Sequence, residues 1–197
     1  MASIVGHTFA GVIAKKFINT RMPLNKERGL TVLVIFLAIL PDFDIIIYIL
    51  FKPLDMIPHR GFSHGLLFIL VTASILTLLT EPYFKISKLN LFSICFLALF
   101  SHLILDYLMG SGPPVPFFSP FYEKGFLSPV KLIPTAFYST SAVGILKILY
   151  YPPAILGYCL ELLIFAPIYL FLKKTKKNFN YFLISISAII CTYLIYN

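Results

Sequence analysis

The chain has 197 residues, of which 59% are hydrophobic and only 12% are charged, and its mean hydropathy is +0.90. These values exclude an ordinary soluble domain, and the recurrence of apolar runs near bilayer length indicates an integral membrane protein. The net charge of +8 does not indicate a nucleic-acid partner, because the basic residues cluster in short loops between the apolar runs.

The apolar runs are continuous rather than alternating, which favours membrane-spanning helices. We therefore predict an all-α fold, a polytopic transmembrane helical bundle that forms a single domain over residues 1–197. The N-terminal stretch 3–18 is shorter than a full span, and it either lies in the interface, re-enters the membrane or forms a sixth short span. The predicted spans number about five, at residues 30–51, 65–80, 89–109, 154–172 and 181–196.

Three short basic loops support this number of spans. They precede the first span, separate the second from the third and separate the fourth from the fifth, so five spans place all three on one side. The positive-inside rule makes that side cytoplasmic, and the expected location is the inner, cytoplasmic membrane. Residues 59–64 and 110–153 then face the outer side. The basic residues are Lys15, Lys16, Arg21, Lys26, Arg28, Lys85, Lys88, Lys173, Lys174, Lys176 and Lys177.

The first two polar motifs in chain order are His7 and the run Pro41-Asp42-Phe43-Asp44. Taken alone, a histidine such as His7 is more often a hydrogen-bonded core residue than a ligand. Pro41 removes a backbone donor and is expected to break the first span. In an unwound segment Asp42 and Asp44 either both reach inward, or one binds metal while the other orients a histidine. The alternative is a helix-turn-helix near the interface with both carboxylates solvated.

The third motif, His59-Arg60-Gly61-Phe62-Ser63-His64, begins in a turn or loop. If the next helix starts near Ser63, that residue is its N-cap. The planar guanidinium of Arg60 matches the oxygens of a phosphate or carboxylate, whereas the alternative is snorkelling to the interface. His64 is either a ligand or a capping or core histidine.

The fourth motif places His102 and Asp106 four residues apart on an apolar helix, so both side chains lie on one face. An ionisable group at membrane depth costs about 2.5–3.5 kcal/mol or more unless it is paired. A bound metal would offset this cost for His102 and Asp106 together, because both residues would act as its ligands. The alternative is a mutual hydrogen bond between them in the core of a bundle.

The remaining chain is less informative. Residues 110–134 are rich in Gly, Pro and Phe and are not expected to be a regular helix, and they either cap the site or form a plain interfacial loop. Residues 143–152 could form an interfacial helix, and Glu161 in the fourth span is a candidate for supporting the ligands. Three cysteines are expected to be small buried apolar residues rather than disulfides or thiolate ligands, namely Cys95, Cys159 and Cys191.

Imidazole and carboxylate donors without a thiolate suit zinc, manganese or iron(II). The number of candidate donors exceeds what one tetrahedral site needs, so one or two divalent ions are expected, with an aspartate such as Asp106 or Asp44 bridging if there are two. No histidine lies outside the set, and Asp55 is the one aspartate that does. The candidate metal ligands are His7, Asp42, Asp44, His59, His64, His102 and Asp106.

The order of these motifs resembles the membrane-bound metal-dependent hydrolase family of the YdjM type. That family shows an early histidine, a PDxD motif, an HRG-[ST]-H stretch, an HxxxD helix and a later PFxxxxF-like segment. The resemblance covers residues 3–126, and residues 143–197 match it only in being hydrophobic. The matching motifs here are His7, Pro41-Asp42-Phe43-Asp44, His59-Arg60-Gly61-Phe62-Ser63-His64, His102 with Asp106, and Pro120-Phe121-Tyr122-Glu123-Lys124-Gly125-Phe126.

A more distant similarity links the same order to the helical zinc-dependent phospholipase C and single-strand nuclease group. It implies zinc as the favoured metal and phosphoester cleavage as the reaction. The chain departs from that group because no histidine follows Asp106, so a three-metal cluster is not available. The similarity assigns one ion to Asp42 or Asp44, His59, His102 and Asp106, and a second ion to His7 and Asp106.

These expectations combine into a membrane-embedded metal-dependent hydrolase that cleaves a phosphoester of a lipid or lipid-linked substrate through an activated water. Arg60 would bind the anionic oxygens of the substrate, and Asp42, Asp44 or His64 would act as general base or orient the ligands. A lipid substrate is expected because the site lies among apolar helices. Two alternatives are a metal-ion or proton transporter that uses the same cluster, and a non-catalytic scaffold whose metal joins the helices.

Overall fold

The computed structural model describes residues 3–18, 20–50, 60–122, 124–134, 142–148, 150–173 and 179–197. Within these ranges the chain is helical, and the one β pairing is an isolated bridge between Val115 and Phe126. The all-α fold class is confirmed, whereas the predicted ligand His59 lies outside the described residues. The α-helices are α1 (Ile4–Lys16), α2 (Leu24–Ile39), α3 (Asp44–Leu50), α4 (Leu66–Phe84), α5 (Lys88–Leu108), α6 (Ala142–Ile148), α7 (Pro152–Lys173) and α8 (Phe179–Tyr196).

The predicted spans correspond to four segments that are long and apolar enough to cross a bilayer and to one shorter apolar helix. The polytopic helical bundle is therefore confirmed. The stretch 143–152 contains most of α6, and its interfacial placement stays a prediction. The four long segments are Leu24–Ile47, Leu66–Phe84, Lys88–Leu108 and Pro152–Leu172, and the shorter one is Asn180–Tyr196.

The predicted break in the first span is confirmed. After α2 ends at Ile39, a 3-10 turn covers Leu40–Phe43, and α3 starts at Asp44. Pro41 lies at the beginning of this turn, where its missing N–H is least costly and its ring prevents the α-helix from continuing undisturbed. The break places two aspartates at membrane depth on a backbone that is not a continuous α-helix.

The helix that follows the third motif starts close to the predicted span 65–80, but Ser63 is not its N-cap. A second 3-10 turn covers Phe62–His64, and the extended residue Gly65 forms the N-cap of α4. The N–H of Leu66 donates to the carbonyl of Phe117 at 2.8 Å, so a residue distant in the sequence satisfies the first turn. Ser63 favours an N-cap by its residue type, but here the contact with Phe117 supplies the acceptor instead, and the local sequence does not show this contact.

Helix α5 lies between two hydrophobic cores. One core joins α5 to α2 and α4, and the other joins it to α1, α7 and α8. Along the first core, Leu91, Ile94 and Leu99 of α5 are completely buried. Because α5 contacts helices on both sides, its C-terminal half is held in a defined position, and this half carries His102 and Asp106.

Helix α1 packs into the bundle against α2, α5 and α7 rather than lying on its surface. It approaches α2 closely at Gly11, where an added Cβ would lie 2.6 Å from the Cβ of Ala38. Small residues allow such close packing between membrane helices. The approach brings His7 on α1 and the end of α2 to the same side of α5.

The first two basic loops meet at one end of the bundle. Lys15 at the end of α1 donates to Thr31 Oγ1 on α2 at 2.7 Å. Lys26 at the start of α2 lies 5.6 Å from the ring centroid of Tyr83 at the end of α4. The ends of α1 and α4 and the start of α2 therefore lie at the same end of the bundle, in agreement with the predicted topology.

The expectation for the cysteines holds in part. Cys95 is buried, but Cys159 and Cys191 are exposed on the outer surface of the bundle, so the burial predicted for these two is wrong. They lie on outward faces of α7 and α8, where a small apolar thiol is compatible with lipid. All three are free cysteines, as expected.

Candidate metal centre

Five side chains from four separate segments converge inside the bundle. Helix α1 contributes His7, the first 3-10 turn contributes Asp42, the second contributes His64, and α5 contributes His102 and Asp106. The three imidazoles and Asp106 are 0% exposed, and Asp42 is 9% exposed. Ionisable groups at membrane depth are costly unless partners or a bound ion stabilise them. The sequence motifs are therefore brought together in one buried cluster.

Four of these residues, Asp42, His64, His102 and Asp106, form a group whose ligand atoms all lie within 4.8 Å of one another. The Nε2 atoms of His64 and His102 are 3.2 Å apart. Asp42 Oδ1 lies 3.6 Å from the Nε2 of His64 and 3.4 Å from that of His102. Asp106 Oδ2 lies 3.6 and 3.8 Å from the same two nitrogens.

These separations suit a tetrahedral metal site. Ligand atoms at about 2.0–2.1 Å from a zinc ion are about 3.3–3.4 Å from one another. The five separations between imidazole nitrogens and carboxylate oxygens or between the nitrogens run from 3.2 to 3.8 Å. The mutual hydrogen bond considered for His102 and Asp106 is not formed by their facing atoms, which are 3.8 Å apart. The group could hold a divalent ion.

A backbone carbonyl sets the tautomer of His102. Its Nδ1 lies 2.7 Å from the carbonyl oxygen of Ala38. Because a carbonyl only accepts, Nδ1 carries a proton, and in the neutral ring the lone pair of Nε2 faces the group of four. Ala38 lies in the last turn of α2, where carbonyls lack intrahelical partners. The break after α2 thus supplies the acceptor that orients a candidate ligand.

His64 lies between two carboxylates. Its Nε2 faces Asp42, while its Nδ1 lies 3.0 Å from Ser63 Oγ and 3.6 Å from Asp44 Oδ2. Asp44 is outside the group of four and stands behind the imidazole. Asp44 Oδ2 accepts from the Ser63 hydroxyl at 3.3 Å, so Asp44 reaches the imidazole through Ser63, and its role in orienting His64 stays a prediction.

Asp44 also holds the backbone of Arg60. The Arg60 N–H donates to Asp44 Oδ2 at 3.0 Å, and Arg60 has a φ of 65°, a left-handed conformation that residues other than glycine seldom adopt. Such strained residues persist where the surrounding structure enforces them, often at functional sites. Here the contact with Asp44 accompanies an inward orientation of the arginine.

The Arg60 side chain is 3% exposed, so interfacial snorkelling is wrong. Its Nε lies 2.8 Å from Asp106 Oδ2, and its Nη1 donates to the carbonyls of Ser111 and Pro113. In the part of the chain that the structure describes, Nη2 has no hydrogen-bond partner. Residues 111–113 therefore lie against the guanidinium, and Nη2 is left without a hydrogen bond to the described residues.

His7 lies beside the group of four. Its ring stacks on that of His102 with centroids 3.7 Å apart and an interplanar angle of 11°. Its Nε2 lies 3.8 Å from Asp42 Oδ2 and 3.7 Å from Asp106 Oδ1. Neither ring nitrogen makes a hydrogen bond with the residues described. The described residues therefore offer His7 no partner of the kind that a hydrogen-bonded core histidine has.

Sequence reasoning gave Glu161 little weight and missed Ser3. Glu161 lies in α7, is 1% exposed, and accepts from the N–H of Ser3 at 2.8 Å and that of Gly6 at 2.9 Å. The Ser3 hydroxyl also donates to this carboxylate. The unpaired donors at the start of α1 are thus satisfied by an anion on another helix. The one sequence signal is an acidic residue inside an apolar span.

The charge of the site favours a cation. The buried charged side chains here are the three carboxylates of Asp42, Asp44 and Asp106 and the one guanidinium of Arg60, so carboxylates exceed cationic side chains by two among these four groups. An uncompensated charge is costly to bury, and a divalent ion would balance the excess. Imidazole and carboxylate donors without thiolate suit zinc, manganese or iron(II). The donor set and the charge therefore fit such an ion.

Comparisons with known proteins agree with this membrane architecture. The family described as YdjM inner membrane protein matches residues 1–195, so the match includes the C-terminal helices. Inner membrane protein YbcI of Escherichia coli (strain K12) is 27% identical over 108 residues, which are 54% of this chain and 62% of that relative. No solved structure matches. The protein is a multi-pass inner membrane protein, and its chain belongs to the YdjM inner membrane protein family.

Proposed function

We propose that this protein is a membrane-embedded metal-dependent hydrolase that cleaves a phosphoester of a lipid or lipid-linked substrate. The observation that carries the proposal is the buried group of Asp42, His64, His102 and Asp106, with the Arg60 guanidinium 2.8 Å from one of its carboxylates. A cation site beside an arginine provides two sources of positive charge for a phosphoryl group. The distant similarity to zinc-dependent phospholipases stays a prediction within this proposal.

Zinc is the favoured ion, and manganese and iron(II) suit the same donors. A bound divalent ion would lower the pKa of a water molecule and polarise a phosphoryl oxygen. The protein contributes fixed ligand orientations, since the Ala38 carbonyl orients His102 and Asp44 stands behind His64. Such outer contacts keep the ligands in place during a reaction.

Three side chains have proposed roles beyond holding the ion. Arg60 binds an anionic substrate oxygen through Nη2, while its Nε keeps Asp106 oriented. Asp44, the carboxylate outside the group of four, orients His64 through the Ser63 hydroxyl or acts as general base. Asp42 acts mainly as a ligand, together with His64.

A lipid is the proposed substrate class because the site lies within apolar helices. His102 is about 20 Å along α5 from its basic end at Lys88. An apolar cavity of about 270 Å³ between α1, α5 and α7 is lined in part by Ala10 and Leu105. An acyl chain in this cavity would lie against the turn of α5 that also carries Asp106, although no candidate ligand lines the cavity.

The test is hydrolysis by detergent-purified, zinc-loaded protein. Mixed micelles containing a phospholipid or a lipid phosphate are incubated with the protein, and released headgroup or phosphate is measured. The wild type should release product, and His64→Ala should lose about 100-fold or more in rate, as expected when an electrostatic catalytic group is removed. Cys191→Ala, on the outer surface of α8, is the matched control. Equal rates in the wild type and His64→Ala would refute the proposal.

Ion transport is the second candidate, and it is favoured by the burial of a carboxylate–imidazole set at membrane depth. Zinc or proton flux in proteoliposomes that is lost in His102→Ala would support transport. Metal binding with neither flux nor hydrolysis would support the third alternative, a scaffold whose ion joins the helices.

A further inference from the structure

The apolar cavity between α1, α5 and α7 has walls that suit a hydrocarbon chain. Ser101 is the one residue with a polar side chain among the described residues that line it, and its hydroxyl already donates to the carbonyl of Ala98 at 2.8 Å. A water molecule in a cavity needs two to four polar partners. The walls therefore do not favour water, and an acyl chain is the apolar molecule that a bilayer supplies.

The cavity extends along the helices. On α1 it reaches from Ala10 to Phe17, which corresponds to about 10 Å of helix, and on α5 it reaches from Leu97 to Leu105, which corresponds to about 12 Å. The hydrocarbon of one leaflet is about 15 Å thick. The cavity therefore covers most of the depth of one leaflet, which matches an extended acyl segment better than a small solute.

The two ends of the cavity differ in charge. Ala10 and Leu105 line the end toward the buried cluster. At the other end Phe17 is 72% exposed and follows Lys16, which is also exposed. This second end lies at the basic end of the bundle, which the positive-inside rule assigns to the cytoplasm. A chain that enters here comes from the cytoplasmic leaflet.

Helix α7 adds positive charge at the same end. Its Glu161 contacts the start of α1, and its Phe165 and Ile168 line the cavity farther along, so α7 runs in the same direction as α1. The helix ends at Lys173, and three of the next four residues in the sequence are also lysines. Basic groups at the cytoplasmic end of a gap between membrane helices are typical of sites for anionic lipid headgroups.

We propose that this cavity binds an anionic phospholipid of the cytoplasmic leaflet, with one acyl chain between α1, α5 and α7 and its phosphate at Lys16. Lys15 is not assigned to the phosphate, because it donates to Thr31 Oγ1 and lies 3.9 Å from Glu27 Oε1. The flexible ammonium of an exposed lysine suits a phosphate at the interface. A lipid held in this way presents its phosphate to the basic end and not to the buried cluster, so the proposal does not rest on the proposed function.

The test uses tryptophan fluorescence, because the chain contains no tryptophan. Phe165→Trp places a single probe on the wall of the cavity, and Phe36→Trp on α2 is the control, since Phe36 is 41% exposed on the surface of the bundle. Each full-length variant is reconstituted in phosphatidylcholine vesicles that contain increasing fractions of phosphatidylglycerol or phosphatidylcholine with brominated acyl chains. Bromine quenches tryptophan on contact, so the measurement requires neither a bound metal nor turnover.

The expected result is a preference for the anionic lipid inside the cavity. In Phe165→Trp, brominated phosphatidylglycerol should reach half-maximal quenching at about a fivefold lower fraction than brominated phosphatidylcholine, the effect expected of one lysine near an anionic lipid. In Phe36→Trp the two lipids should quench alike. Lys16→Glu in the Phe165→Trp background should remove the preference, whereas Lys88→Glu, at the exposed start of α5, should keep it.

Other results would overturn the proposal. Equal quenching of Phe165→Trp by both lipids would mean that the cavity takes any acyl chain, including that of a substrate, and no quenching by either would mean that lipid does not enter. A preference that survives Lys16→Glu would place the phosphate elsewhere. If that variant does not fold, high salt replaces it and should remove the preference, and an unchanged preference would count against the proposal. If Phe165→Trp does not fold, Phe17→Trp at the exposed end carries the probe.

Discussion

The two halves of α5 are equally buried but have different partners. In the first half, Leu91, Ile94 and Leu99 are 0% exposed and pack in an apolar core against α2 and α4. In the second half, His102 and Asp106 are also 0% exposed, yet their partners are imidazoles, carboxylates and a guanidinium. Burial alone therefore does not distinguish a structural core from a site. The two halves differ in what a truncated side chain leaves behind, which is an apolar cavity in the first half and an unpaired buried charge in the second.

The largest effect is expected for Asp106→Ala in the polar half. The substitution leaves the Arg60 guanidinium buried without its carboxylate, which typically costs about 3–5 kcal/mol of unfolding free energy. It should also abolish metal binding and hydrolysis. Thermal unfolding and metal content measure these effects, with Asp106→Asn as the variant that keeps the side-chain shape. Unchanged metal content and unfolding temperature in both variants would place the site elsewhere.

In the apolar half, Leu99→Ala should cost about 2–5 kcal/mol through lost contacts and a cavity. Metal content per chain should stay the same, because no ligand contact is removed. Thermal unfolding and metal analysis of the same sample measure both quantities. Leu194→Ala is the control, since Leu194 is 72% exposed on the outer surface of α8. Loss of metal in a folded Leu99→Ala would erase the distinction between the two halves.

Arg60→Lys sharpens the comparison within the polar half. Lysine keeps a positive charge near Asp106 but lacks the planar fork that contacts a carboxylate and an anionic oxygen together. We expect about a 100-fold lower kcat/KM, which is about 2.7 kcal/mol, with metal content unchanged. Steady-state kinetics on a lipid phosphate and metal analysis test this. A rate equal to that of the wild type would remove Arg60 from substrate binding.

The smallest effect is expected for Glu161→Gln. The amide keeps one oxygen to accept from the start of α1 but loses the negative charge, so about 1 kcal/mol of stability should be lost. Hydrolysis should fall a few-fold because His7 is held less firmly. Thermal unfolding and kinetics measure the change against Glu81→Gln at the partly exposed end of α4. If Glu161→Gln and Glu81→Gln had the same unfolding temperature and the same rate, the contact of Glu161 with α1 would not stabilise the protein.

The parts of the fold that the sequence predicts depend on residues close together in the chain. Helix lengths follow from continuous apolar runs, and the break in the first span follows from Pro41. The pairing of His102 with Asp106 on one face follows from helical periodicity. The described candidate ligands all lie in one region. Their motifs occur near the starts of α1 and α4 and near the ends of α2 and α5, and these helix termini meet on one side of the bundle.

The parts that the sequence does not predict depend on partners far away in the chain. The capture of Arg60 by Asp106 and by carbonyls of residues 111–113 requires the folded loop. Which aspartate of the Asp42 and Asp44 pair joins the ligand group depends on the details of a 3-10 turn. The contact between Ser3 and Glu161 spans 158 positions, and no local pattern encodes it.

The same contact has a consequence for biosynthesis. Helix α1 is synthesised before α7, and the carboxylate that anchors its first turn belongs to Glu161, which follows Ser3 by 158 residues. The described candidate ligands lie between His7 and Asp106 and therefore all precede α7 in the chain. A chain that stalls before α7 carries these ligands, but its α1 lacks the anchor on Glu161.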